Sequence, residues 1–355
     1  MDIKKLFWQL YPIPFSEKVF FISNLRVMVR SGLSLSDAFK TLAEQTTNRR
    51  FKKILNEIKE NIEAGQTLTE CLARYPAVFS KTFVSMVSAG EVSGTLEANL
   101  EELSAQLKKE HELRSRLKAA LSYPVVVVVA TVGIIIILMV YVLPKLLDIF
   151  SSFDATLPLP TRILIASVNF TKNHGFVVLI AVITITAGIC WFNRTLLGKK
   201  IFHKAYLTMP IIGKLVQKVN LARFSRTLSS LLKTDIPVVQ SLEITAQTVS
   251  NVHYKKAITE TAEEIKKGVG IAEVIGRYPK LFPPLVIQMV SVGEKSGTVD
   301  VLLRELANFY EEDIDNATKS ISSIIEPLLI LFLGVVIGGI AIAVIMPMYS
   351  LTQQI

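Results

Sequence analysis

The sequence is short of the side chains that build metal sites, disulfides and catalytic triads. Cysteine occurs twice and histidine four times in 355 residues. Cys71 and Cys190 stand far apart without a ligand spacing, which argues against a disulfide framework or a zinc site. His111, His174, His203 and His253 share no metal-ligand period either. Phosphate and dinucleotide loops are also missing. Gly-Glu-Lys-Ser-Gly-Thr at 293–298 lacks the earlier glycine and the Gly-Lys-Ser/Thr order of a P-loop, and Gly268-x-Gly270 has Glu273 where a dinucleotide loop needs a third glycine. Ser93 lies in G-E-V-S-G, so the G-x-S-x-G nucleophile elbow is not met. No catalytic residue, cofactor or metal is expected, and any energy for work comes from a partner.

The other scarcity is local. Val125–Leu143, Phe176–Phe192 and Leu328–Met346 contain no Asp, Glu, Lys or Arg, in a chain that is 19% charged overall. A helix needs roughly 20 apolar residues to cross a hydrocarbon core of about 30 Å. Three transmembrane helices in a lipid bilayer are therefore expected. The formal net charge of +9 does not imply nucleic acid, because the basic residues gather beside the apolar runs and form no single stripe. Lys108, Lys109, Arg114, Arg116 and Lys118 precede the first run, and Arg194, Lys199, Lys200 and Lys204 follow the second. The positive-inside rule then puts the N-terminus and the region between runs two and three in the cytoplasm, and the C-terminus outside. The segment Leu6–Phe15, interrupted by Pro12 and Pro14, reads as an interfacial or docking arm with no signal peptide.

What is present is a duplication. Ser88–Thr95 (SAGEVSGT) returns as Ser291–Thr298 (SVGEKSGT), and the displacement of 203 residues from Gly90 to Gly293 holds elsewhere without a gap. It pairs Gly65 with Gly268, Arg74-Tyr75-Pro76 with Arg277-Tyr278-Pro279, Phe79 with Phe282, and Pro124 with Pro327. A repeat this long is a duplicated domain and its following apolar segment. Inside a copy, Phe21, Leu25, Met28 and Gly32, then Phe51, Ile54, Leu55, Ile58 and Ile62, keep helical spacing. Ser34 with Asp37 and Thr67 with Glu70 suit capping boxes, and Gly32 and Gly65 suit helix ends. Runs at 18–31, 34–46, 49–64, 67–74, 80–90 and 95–120 predict six helices per copy.

The expected fold class is thus an all-α membrane protein with two duplicated cytoplasmic six-helix bundles and three transmembrane helices. Its expected parts are an N-terminal arm (1–15), a first cytoplasmic helical domain (16–123), helix one (124–143), an outward loop (144–175), helix two (176–192), a second cytoplasmic domain (193–326), helix three (327–347) and an outward tail (348–355).

The repeated corner Gly90, Glu91, Ser93, Gly94 and its equivalent Gly293, Glu294, Ser296, Gly297 supports two readings. It can be structural: the glycines permit a reversal between helices five and six, while Ser93 or Thr95 caps the next helix and Glu91 lies near its positive end. It can instead present a paired surface for a partner or a cation. Gly334, Gly338 and Gly339 make a smooth face for helix packing, a pattern that also arises by chance in membrane helices. Pro124, Glu326 and Pro327 mark the membrane boundary, where Glu326 either meets a partner or faces headgroups.

Taken together, G-L-S-L at Gly32, G-x-x-L-x-E at Gly65, Y-P-x-x-F at Tyr75 and G-E-x-S-G at Gly90, each copy closed by a proline and an apolar helix, resemble the platform proteins of type IV pili and type II secretion systems (the protein F family). The resemblance covers Ser16 to Ser350. It implies an inner-membrane protein without enzymatic activity, with six-helix cytoplasmic domains. The implied partners are a cytoplasmic hexameric assembly ATPase, pilin or pseudopilin subunits, other inner-membrane assembly components and, with the glycine face, a second copy in a homo-oligomer. The second copy departs from the pattern, with Asp235-Ile-Pro237 where the first has Gly32-Leu-Ser34. Pilus and secretion machinery are not distinguished. Two other classes stay open, a small transporter or channel and a membrane-anchored signalling scaffold; uncharged spans without paired broken helices weigh against the transporter.

Overall fold

The computed structural model describes residues 12–144, 159–209 and 212–352, and every regular element among them is helical. The first repeat supplies α1 (Phe15–Arg30), α2 (Leu35–Gln45), α3 (Arg49–Glu63), α4 (Leu68–Ala73), α5 (Lys81–Ser93) and α6 (Leu96–Ile137). A π-helical turn, Leu138–Val142, follows α6 directly. Next come α7 (Leu159–Arg194) and α8 (Leu196–Thr208), and the second repeat supplies α9 (Ile212–Lys233), α10 (Val238–Thr248), α11 (Val252–Ile265), α12 (Ile271–Gly276), α13 (Pro284–Ser296) and α14 (Val299–Thr352). From α2 onward the starting residues of the two series keep the displacement read from the glycine corners: Leu35 with Val238, Leu68 with Ile271, Lys81 with Pro284, Leu96 with Val299.

Local chemistry sets these boundaries. Ser34, Asn48, Thr67 and Ser80 each accept a backbone N–H with their side chains at a helix start, and Thr67 with Glu70 completes a capping box. The stops use left-handed backbone: Gly32, Gly65 and Gly94 recur as Asp235, Gly268 and Gly297, all with φ between +57° and +87°. Asp235 alone among the described residues holds that conformation with a side chain. Of all side chains, those of Asn and Asp tolerate it best, since a short polar group can bond locally.

The Cα positions divide into two compact units. One joins the chain up to Ser115 with His203–Asp315 and so holds most of both repeats. In the first repeat the Phe21 ring lies 5.6 Å from Phe39 and 5.5 Å from Phe51 between centroids, with Phe79 and Phe83 completing the cluster. The second repeat retains Phe224, Tyr254 and Phe282 at the positions of Phe21, Phe51 and Phe79, with centroids 5.3 and 5.4 Å apart. Each buried ring contributes about 1.5–3 kcal/mol from burial and each ring pair about 0.5–1.5 kcal/mol more. Tyr75 donates its hydroxyl to Glu57 at 2.5 Å, and Tyr278 repeats the bond to Glu260. Burial and the neighbouring carboxylate push the Tyr278 phenol up to about 12.

The other unit comprises Arg116–Phe202 and the chain from Asn316 onward. Leu143, Val168 and Ala343 form its small buried cluster, beside a bond from the Thr161 hydroxyl to the Ala343 carbonyl at 2.7 Å. Val126, Val129, Leu331 and Val335 are about two-thirds exposed, an apolar surface far larger than scattered single residues would make. Among the described residues one helix, Leu96–Val142, is long and apolar enough to cross a membrane by length and composition. Its most apolar window has mean hydropathy 3.2 and is 6% buried. Thr161–Phe170 and Pro327–Ala343 are shorter apolar stretches.

Two expectations change. The segment 144–175, read as a loop, is helical from Leu159, because its apolar residues continue the helix into the next run; α7 departs from helical geometry at His174 (φ −123°, ψ 15°). Residues 348–352, read as tail, remain in α14. Pro124 and Pro327 lie inside α6 and α14, so each of these helices runs from its repeat into the following apolar run, as the helix formers leading up to each proline imply. The arm 1–11 lies outside the described residues, as does the Glu326 side chain.

Candidate functional site

The glycine corners are built the same way in both repeats. Gly90 sits inside α5, where an added Cβ would lie 2.9 Å from the Leu96 Cα and 3.0 Å from Asn99 side-chain atoms. Gly293 inside α13 would meet the Val299 Cα at 2.8 Å. These glycines therefore permit close approach of the following helix, and the reversal itself falls on Gly94 and Gly297, at φ +72° and +74°. Ser93 turns back to the Ala89 carbonyl at 2.7 Å and pairs with Thr95 at 2.6 Å; Ser296 does likewise with Val292 and Thr298.

The two glutamates go elsewhere than expected. Glu91 does not serve the helix that follows it. Its carboxylate accepts the N–H of Leu68 at 2.8 Å and of Thr69 at 3.0 Å, and the Thr69 hydroxyl at 2.6 Å. Glu294 accepts from the N–H of Ile271 and, at 3.0 Å, of Ala272. Each glutamate thus satisfies the orphan amides of the short helix immediately before its own, because helix five lies across that helix's N-terminal end. In the first repeat Thr67 shares this capping; in the second, Gly270 stands at the cap and offers no side chain.

Gly334, Gly338 and Gly339 have no atom within 4 Å of an added Cβ, so their helix face meets open space in this chain. Among the described residues no cluster of His, Cys, Asp and Glu could hold a metal. Cys71 is free and buried, and burial pushes its thiol up.

The sequence reading missed a seam where α6 of the first repeat meets α9 of the second. Glu102 accepts Lys233 at 2.7 Å and the Ser230 hydroxyl at 2.9 Å; Glu110 holds Arg223 at 3.1 Å; Gln106 reaches Thr227 at 3.4 Å. Burial alone would raise the Glu102 carboxyl, but the bonds from Lys233 and Ser230 outweigh it and hold the group below its usual range. Beside the seam lies a cavity of about 280 Å³ whose lining includes Phe15, Gln106, Arg114 and Arg223. Arg114 stacks 4.3 Å over the Phe15 ring. Lys18 donates to the Val78 carbonyl at 2.6 Å, and burial with Arg114 and Arg50 nearby lowers its ammonium. The signal for the seam was available: Glu102, Gln106 and Glu110 recur every four residues, as do Arg223 and Thr227, which puts each set on one helix face.

With this geometry in place, comparison with known proteins is decisive. The sequence profile of the type II secretion system protein F family matches residues 21–144 and, a second time, 224–347. The chain belongs to that family. Both matches run from the first ring of the aromatic cluster, Phe21 or Phe224, into an apolar helix. Among relatives of protein F, the type IV pilus assembly protein PilC of Myxococcus xanthus is 34% identical over 94% of this chain and 80% of its own length. PilC of Thermus thermophilus is also 34% identical, over 93% and 81%. The type II secretion system protein F of Pseudomonas aeruginosa is 29% identical over 94% and 82%.

Proposed function

We propose that this chain is the inner-membrane platform of a type IV pilus or type II secretion machine, with three membrane helices and both helical repeats in the cytoplasm. Membership of the protein F family carries this reading. The uncharged runs and the exposed apolar surface of α6 and α14 support the membrane assignment. In this role the chain performs no chemistry. A cytoplasmic hexameric assembly ATPase supplies the work, the repeats receive it, and the apolar helices hand a pilin or pseudopilin helix from the bilayer to the growing filament. The glycine face of α14, open at Gly334, Gly338 and Gly339, suits close passage of another helix. Chemical crosslinking in an active assembly tests the coupling. The expected result is a covalent product between the repeats and the ATPase that disappears when either repeat is deleted; a working assembly that yields no such product overturns it.

A further inference from the structure

The seam between the repeats is heterologous: it joins one face of the first copy to a different face of the second. The second copy carries its own version of the first copy's seam face, and the first copy its own version of the second's, and both versions are open. Thr82 and Ser230 are 5% and 1% exposed in the first and second repeats, whereas their equivalents Leu285 and Val27 are 42% and 44% exposed. Ile236 joins the first repeat's core at 5% exposure, while its equivalent Leu33 stands at 40%. Gln106 and Arg223 correspond to Phe309 and Phe20, each about half exposed. Polar residues inside the seam are therefore matched by large apolar residues on the open faces, the reverse of what an exposed surface favours.

Charge follows the same correspondence. The ion pair Glu102–Lys233 has as equivalents Glu305 and Arg30, which keep both signs and are both exposed, on opposite open faces. We propose that the open faces join two copies of this chain head to tail. Phe309, Leu285 and Glu305 of one chain would dock on Phe20, Val27, Leu33 and Arg30 of the next, in the arrangement the two repeats use within a chain. An interface of this kind either closes into a ring or propagates. Exposed aromatics at its centre supply the affinity, and the Arg30–Glu305 pair fixes the register.

The test uses two differently tagged full-length chains expressed in the same membrane, treated with a short bismaleimide before solubilisation, with the unsubstituted chain as control for Cys71 and Cys190. Arg30→Cys in one chain and Glu305→Cys in the other are expected to give a mixed-tag product several-fold above either substitution paired with itself. Arg30→Glu, read by native mass spectrometry, should lower the oligomer fraction at least several-fold, and Glu305→Arg in the same chain should restore it. Since Phe20 is half exposed, Phe20→Asp should reduce the oligomer with little change in Tm. Equal product from two Arg30→Cys chains, no mixed product, or a chain monomeric in the membrane would overturn the proposal.

Discussion

At the scale of single residues, the two corner glutamates do the same work with different backing. Glu91 shares the first turn of α4 with Thr67 and is helped by the Thr69 hydroxyl, whereas Glu294 caps α12 over a glycine. A charged acceptor on backbone N–H groups is worth roughly 1.5–3 kcal/mol. Glu294→Ala is therefore expected to destabilise by about that amount and Glu91→Ala by less, compared by urea denaturation of otherwise identical chains. Gly293→Ala tests packing instead. Its new methyl group would press on Val299 backbone that cannot swing away, and such overpacking costs about 1–3 kcal/mol. A mutant as stable as the parent would show that α13 and α14 have room to separate.

Between elements, the seam answers to acid. Bonds from Lys233 and Ser230 depress the Glu102 carboxyl on folding. A depressed folded-state value means the stabilisation is present above the unfolded value, near 4.3, and is lost as pH falls through the folded one. The protection of α9 amides, with the intrinsic exchange rate divided out, is expected to fall on acidification below about pH 4, and Glu102→Gln should show a weaker pH dependence there. Helix positions were largely legible in the sequence. The six runs of the first repeat reappear with shifts of a few residues at most starts and stops, since apolar period, capping serines and threonines, and left-handed glycines all act within one turn. The partners of Glu91 were not legible, because they lie 22 and 23 residues upstream and are brought there only by how α5 crosses α4. The helical stretch after Leu159 was missed for a different reason: the span was drawn from the uncharged run that begins at Phe176, and Arg162 and Lys172 fall outside such a run although the helix continues through them.

For the whole molecule, the proposed topology places both repeats on one side of the membrane, whereas Lys319 alone stands as a nearby basic signal before the third apolar run. Cysteines introduced at Val92, which is 87% exposed, and at its equivalent Lys295 are expected to react with a membrane-impermeant maleimide only in inverted vesicles. Labelling of the two sites from opposite faces would mean that the repeats do not share a compartment, and a single motor could not then act on both. The repeated helix series makes such a paired comparison possible, since each site has a structural counterpart to serve as its control.

The direction built into the seam also bears on inheritance. Two homologous halves in one gene invite recombination between them, which would tend to make the halves alike. A chain with two first halves would set the Phe20 ring where Arg223 now stands, leaving Glu110 with Arg114 as its remaining guanidinium partner. Two second halves would place the Phe309 ring at the position of Gln106 and break its bond to Thr227. Either product loses part of the contact that joins the copies, so the seam requires the two halves to differ at these positions.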